Sequence, residues 1–132
     1  MSLSALVIEG DPTVAQLWVE VFSQHGWFAD APRNRLRAAE ALFSTHDYDL
    51  ITVSYRFLST TGVDIIRRIR ELQHRKHTPI LMLTAGPIVT AEALAAGATE
   101  VLYKPIKPLD WVAIILRHID MSVVRFTQQA QG

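Results

Sequence analysis

The sequence predicts an α/β fold in three layers, with a parallel five-stranded sheet between two layers of helices. Three observations carry that expectation. Short apolar runs alternate with segments of helical periodicity five times along the 132 residues. The runs are apolar at consecutive positions, as strands covered on both faces require. Cap and turn residues mark each change of period. A chain of this length buries a continuous core without disulfides or metals. Right-handed crossovers follow from parallel pairing, and functional groups then collect at the C-terminal ends of the strands.

The first strand spans Leu3 to Ile8 and ends at Glu9. Asp11-Pro12 opens the first helix, an Asp cap followed by a proline at the first helical position. Val14, Leu17, Trp18, Val21 and Phe22 mark its inward face, and Gly26 ends it. Trp27 to Ala31 is a weak second strand. A second helix from Arg35 to Thr45 is carried by Leu36, Ala39, Leu42 and Phe43. The third strand is Leu50 to Val53. Thr61, with Asp64 three residues on, resembles a capping box, and the third helix turns Val63, Ile66, Ile69 and Leu72 inward. Ile80 to Leu83 is the clearest buried strand. Pro87 opens a fourth helix that stops at Gly97, Glu100 to Tyr103 is the fifth strand, and a fifth helix runs from Leu109 to about Ile119. The expected division is one domain over residues 1–120, with 121–132 a polar tail or the start of a linker.

Composition narrows the function classes. Hydrophobic residues make up 49% and charged residues 20%, as in an ordinary globular domain. Thirteen Lys and Arg balance thirteen Asp and Glu, so net charge supplies no reason to expect nucleic acid as a partner. There is no cysteine, hence no thiolate nucleophile and no cysteine metal site. The opening MSLSALVIEG lacks the pattern of a signal peptide, and no apolar stretch has the length of a membrane span. A cytoplasmic protein is the expected setting. No nucleophile–base pair, phosphate-binding glycine loop or metal cluster is legible, so the chain is not expected to be an enzyme.

The strand ends carry Glu9, Gly10 and Asp11, then Ser54, then Thr84 and Ala85, then Lys104 and Pro105. In order and spacing, ALVIEGDPTVAQLW, YDLITVS, TPILMLTA and AEALAAGATEVLYKPIKPLDWV resemble the receiver domain of two-component response regulators, from about Leu3 to Ile119. The resemblance implies a flavodoxin-like, CheY-like (βα)5 fold with strand order 2-1-3-4-5. It also implies a family chemistry in which an aspartate takes a phosphoryl group from a phosphohistidine. Mg²⁺ held by acidic residues, a lysine ammonium and a Thr or Ser hydroxyl support that transfer.

Carried over by position, Glu9 matches the first acidic residue, and Gly10 stands where a metal-binding carboxylate is usual. Asp11 is peripheral. Ser54 stands at the phosphoacceptor position. Thr84 matches the switch hydroxyl, Lys104 and Pro105 match the Lys-Pro signature, and Val101 stands where an aromatic switch is frequent. A hydroxyl is far less acidic than a carboxylic acid and needs a base, and its phosphate is an ester and not a mixed anhydride. The expectation is therefore a pseudo-receiver that does not take part in phosphorelay, with Mg²⁺ binding weak or absent. Burial at the strand end also makes Ser54 a poor target for a serine kinase. Two further readings stay open: a switch worked by an anion or metal in the pocket of Glu9, Ser54 and Lys104, and phosphorelay through another acceptor.

Plainer roles stand beside these. Glu9 either ligates a cation weakly or pairs with Lys104, and Asp11 is a cap or a ligand. Thr84 is a switch or a plain strand-end hydroxyl, and Arg56 fills the pocket or faces solvent. His25, His46, His74, His77 and His118 show no metal-site spacing. Arg67, Arg68, Arg70, Arg75 and Lys76 read as ordinary basic surface or as a contact for an acidic partner. The last helix is apolar around most of its circumference, which suggests a covering partner. With Tyr103, its residues Trp111, Ile114 and Ile115 mark a face of fourth helix, fifth strand and fifth helix for a protein partner or a homodimer. The span from Thr84 to Lys104 is slightly shorter than is usual in the family, and Pro87 stiffens it.

Overall fold

The computed structural model describes residues 3–57, 59–86, 90–104, 110, 113 and 114. Along the chain it forms β1 (Ser4–Ile8), α1 (Pro12–Gln24), β2 (Phe28–Asp30), α2 (Arg35–Phe43) and β3 (Leu50–Ser54). A small hairpin of β4 (Arg56–Phe57) and β5 (Thr60–Thr61) leads into α3 (Gly62–Glu71). A 3-10 turn (Gln73–Arg75), β6 (Ile80–Thr84), α4 (Thr90–Ala96) and β7 (Glu100–Tyr103) follow. The main sheet is five-stranded, parallel throughout, in the order β2-β1-β3-β6-β7. With the hairpin strands set aside, this is the expected order. The hairpin itself, antiparallel with Arg56 opposite Thr61, stands where the sequence suggested only a loop.

Side chains of the strands alternate between two cores. Leu6, Ile8, Ile51, Val53, Ile80 and Met82 face one way, onto Val63, Ile66 and Ile69 of α3 and Ala38 of α2. Ala5, Val7, Leu50, Leu81 and Leu83 face the other way, onto Trp18, Val21 and Phe22 of α1. This period of two explains why consecutive positions are all apolar: both faces are covered.

Local chemistry sets the helix ends as expected at two sites. The Asp11 carboxylate accepts from Thr13 N at 2.9 Å and Val14 N at 3.4 Å, ahead of the proline. Thr61 Oγ1 accepts from Asp64 N at 3.3 Å. Gly26, at φ 77°, supplies the left-handed residue after α1.

Helix α2 departs from the expectation. Leu36 and Phe43 are 67% and 70% exposed, and the helix buries Ala38 with Ala41 and Leu42 beside it. Leu17 of α1 is likewise exposed. Two basic residues read as surface also belong to the interior. Arg75 is 1% exposed, and its guanidinium donates to the carbonyls of Ala41, Leu42, Ser44 and His46 while lying over the Tyr48 ring. Together with the Ser44 hydroxyl and the His74 ring, it satisfies the carbonyls at the end of α2. Arg70 donates to the carbonyls of Gly97, Arg75, Lys76 and Thr78, tying α3 to the turns on either side of β6. The expected opening of the fourth helix at Pro87, most of the fifth helix and the tail lie outside the described residues. No helix among the described residues is long and apolar enough to cross a membrane.

Candidate functional site

Parallel strands deliver their C-terminal ends to one edge of the sheet, and register decides which residues meet there. Ile8 pairs with Val53, Ser54 with Leu83, and Thr84 with Tyr103. Glu9, one residue past β1, is therefore level with Ser54, and Lys104 follows directly after the partner of Thr84. The backbone continues the ladder past the strands, with Tyr55 N donating to Leu83 O at 2.8 Å and Lys104 N to Thr84 O at 2.8 Å.

Lys104 is the centre of the arrangement. Its ammonium donates to Glu9 Oε1 at 3.0 Å and to Ser54 Oγ at 3.3 Å. The Glu9 side chain is 3% exposed and that of Lys104 36%. A carboxylate so far from water needs a cation, and the lysine reaches it from the cleft mouth with its stem lying over the sheet edge. Of the two fates expected for Glu9, the structure shows the ion pair.

Ser54 is buried at the end of β3. The chain must turn sharply there, and Gly62 makes the turn possible. A Cβ at Gly62 would stand 2.5 Å from Ser54 O, closer than any side chain can sit. Gly62 N also donates to Tyr55 O, which closes the hairpin of β4 and β5 back onto the strand end. Neither periodicity nor a functional motif marks this glycine in the sequence. A short Thr-Thr-Gly segment ahead of a helical period was the available signal.

Thr84 is buried, and its hydroxyl is engaged with the turn after β6, donating to Gly86 O at 3.2 Å and accepting from Gly86 N at 3.4 Å. Arg56 is exposed and lines an open cleft with Ser54, Tyr55, Thr84, Gly86 and Lys104. It forms no ion pair among the described residues. Gly10 lines a neighbouring cleft with Glu9, Pro12, Pro32 and Arg33. Asp11 is spent on the cap of α1, on the exposed side. No three His, Asp or Glu residues come together among the described residues.

Of the remaining residues singled out from the sequence, three are described. Val101 is half-buried and packs on the α3-side core. Tyr103 is exposed, and its hydroxyl meets Thr90 Oγ1. Ile114 is half-buried against the α1-side core, so it serves the fold at least in part. Pro105, Trp111 and Ile115 lie outside the described residues.

An open parallel sheet with its polar residues gathered at the carboxyl ends of β1, β3, β6 and β7 defines a doubly wound α/β architecture, with its site at the strand edge. Comparison makes the assignment specific. Residues 5–116 match the response regulator receiver domain family, and the chain belongs to it. Among solved structures it resembles the chemotaxis response regulator CheY4 of Vibrio cholerae, with a TM-score of 0.81, 24% identity, and coverage of 90% of this chain and 100% of that one. It also resembles a two-component response regulator from Clostridium difficile, with a TM-score of 0.78, 25% identity, and coverage of 88% and 97%. Among curated proteins, it is 30% identical over 115 residues to the uncharacterized transcriptional regulatory protein YclJ of Bacillus subtilis, 86% of this chain and 49% of that protein. It is 27% identical over 115 residues to protein RcaC of Microchaete diplosiphon, 86% of this chain and 17% of that protein. The chain thus spans half or less of the length of either relative.

Proposed function

We propose that this receiver domain works through protein contacts and does not accept a phosphoryl group at Ser54. The observation that carries the reading is the closed triplet at the strand edge: β3 ends in a serine, and Glu9, the buried carboxylate beside it among the described residues, is held by Lys104 at 3.0 Å. An acyl phosphate needs a carboxylate acceptor, and Ser54 supplies a hydroxyl. To attack phosphorus at neutral pH, that hydroxyl would have to lose its proton to a base. Glu9 is the nearest carboxylate, but its charge is already spent on the ammonium that also donates to Ser54 Oγ. The donor set does not suit Mg²⁺ either. A hard cation takes several oxygen ligands with one or two free carboxylates among them, and Gly10 contributes no side chain. Asp11 has turned to the helix cap.

On this reading the fold is kept for its surface. The α4–β7 side, with exposed Leu94 and Tyr103, is the face for a protein partner or a second copy of the chain. The receiver-like unit occupies residues 1–120 and 121–132 lead on from it. A second reading has one observation in its favour: Arg56 and Lys104 line the same open cleft as the Ser54 and Thr84 hydroxyls, a set of donors suited to a small oxyanion.

Sedimentation velocity with and without Mg²⁺ and beryllofluoride separates these readings from a phospho-switch. Beryllofluoride mimics an acyl phosphate only on an aspartate, so the distribution of species is expected to stay unchanged. A shift in oligomeric state on its addition overturns the proposal. Inorganic phosphate added alone, with a saturable shift of the Lys104 amide, would favour the oxyanion reading.

A further inference from the structure

The basic residues of α3 and of the turn after it fall into two groups. Arg70 and Arg75 serve internal carbonyls, and Arg67 pairs with Asp64 at 2.9 Å. Arg68 is exposed and forms no ion pair among the described residues. On α2 the same sorting leaves Arg35: Arg37 pairs with Glu40, while Arg35 donates to Ser59 Oγ at 3.0 Å and forms no ion pair among the described residues. These two unneutralised guanidinium groups face the same cleft, between α2 and α3. Its floor and walls are apolar, formed by Ala39 and Leu42 of α2, Phe57 of the hairpin and Ile65 of α3. Leu36, Ala39 and Phe43 recur at i, i+3 and i+7, so the two exposed apolar side chains stand on the flank that Ala39 joins to the cleft.

We propose that the α2–α3 cleft is a docking groove for an acidic amphipathic helix of a protein partner, separate from the face formed by α4 and β7. Neither Arg35 nor Arg68 has a carboxylate partner among the described residues. Arg35 and Arg68 flank an apolar trough, and the partner that matches both features carries two or three apolar anchors along one face with Glu or Asp beside them. The apolar shoulder of Leu36 and Phe43 costs nothing in the fold and gains only from a covering surface. The same trough is a poor fit for nucleic acid, whose affinity comes from many phosphate contacts. Two arginines over an apolar floor would leave that floor unused. Arginine also suits the role chemically, because its planar fork binds a carboxylate in two places and is weakly hydrated.

The test uses the whole chain and a fluorescein-labelled synthetic peptide of about 18 residues, long enough to hold a helix. It carries leucines at i, i+3 and i+7 and glutamates on the flanks. Anisotropy is expected to show saturable binding, with amide shifts centred on Arg35, Ala39, Leu42, Ile65 and Arg68. Arg35→Glu combined with Arg68→Glu is expected to weaken it at least about tenfold. Leu36→Ser combined with Phe43→Ser, which alters only exposed side chains, is expected to weaken it about fivefold and keeps the test valid if charge reversal disturbs the fold. The proposal is overturned by no binding, by equal binding of a scrambled peptide of the same composition, by wild-type affinity in both double variants, or by tighter binding of a short single-stranded DNA.

Discussion

Replacing Lys104 with methionine removes the ammonium and keeps most of the apolar stem. Glu9, 3% exposed, then has no cation and little water. Breaking a fully buried pair in this one-sided way costs about 3–5 kcal/mol, and a wholly exposed pair contributes about 0–1 kcal/mol. Lys104, with 36% of its side chain exposed, lies between those limits, and about 2 kcal/mol is the expected loss. In a domain of 132 residues that lowers Tm by about 7 °C. Glu9→Gln leaves a lysine that still reaches water and a neutral amide that still accepts from it, so about 1 kcal/mol is expected. With Glu9 already neutral, Lys104→Met no longer strands a charge, and the cycle should show a coupling of about 1 kcal/mol. Urea titration followed by tryptophan fluorescence measures all four proteins, and unchanged m values show that the native state alone is affected. A loss below about 0.5 kcal/mol for Lys104→Met, or strictly additive costs, would refute the claim that this pair holds the strand edge together.

Other parts of the structure make equally definite demands. Arg75→Met removes the guanidinium from four carbonyls at the end of α2; Ala41 O keeps the Ser44 hydroxyl and Leu42 O and Ser44 O keep the His74 ring, so the loss falls mainly on His46 O, and about 2 kcal/mol is expected, read as a fall in urea midpoint together with faster amide exchange at Ala41 to His46. Gly62→Ala forces a Cβ to within 2.5 Å of Ser54 O, so β3 and α3 must separate. A loss of at least about 2 kcal/mol is expected by thermal melting, and a neutral outcome would mean the turn is pliable. Tyr48 is pushed up to about 12, chiefly by burial and then by the Asp30 carboxylate beside it, with Arg75 acting in the opposite direction. Its folded pKa is above its unfolded value, so its contribution is complete below about pH 10 and is lost as pH rises through about 12. Tyr48→Phe should therefore flatten that alkaline loss of stability, measured as the urea midpoint across the same range.

What the sequence disclosed, and what it did not, follows from where the signal sits. Strands β1, β3 and β6 were legible because both faces are buried, which leaves nearly continuous apolar runs. The cap at Asp11 and the stop at Gly26 were legible because they are local chemistry. Helix α2 was misread because it rests on the sheet through small residues. Ala38 and its neighbours carry little hydrophobic signal, while the larger Leu36 and Phe43 dominate any count and point outward. The burial of Arg75 was invisible for a different reason. A guanidinium enters the interior only where several carbonyls converge, and they come from a segment some thirty residues upstream. The meeting of Glu9, Ser54 and Lys104 could be read from the rule that parallel strands deliver their ends to one edge, with the family resemblance supplying which residues to watch. Their mutual distances required the structure.

The most direct test of the central claim is the intact mass of the purified protein after incubation with Mg²⁺ and acetyl phosphate. A variant combining Gly10→Asp with Ser54→Asp is treated in parallel, to show that the scaffold supports the chemistry once its carboxylates are present. No added phosphoryl mass on the natural chain, with a hydrolysable adduct on the variant, is the predicted result. A stoichiometric phosphoryl adduct on the natural chain, mapped to Ser54, would contradict the account.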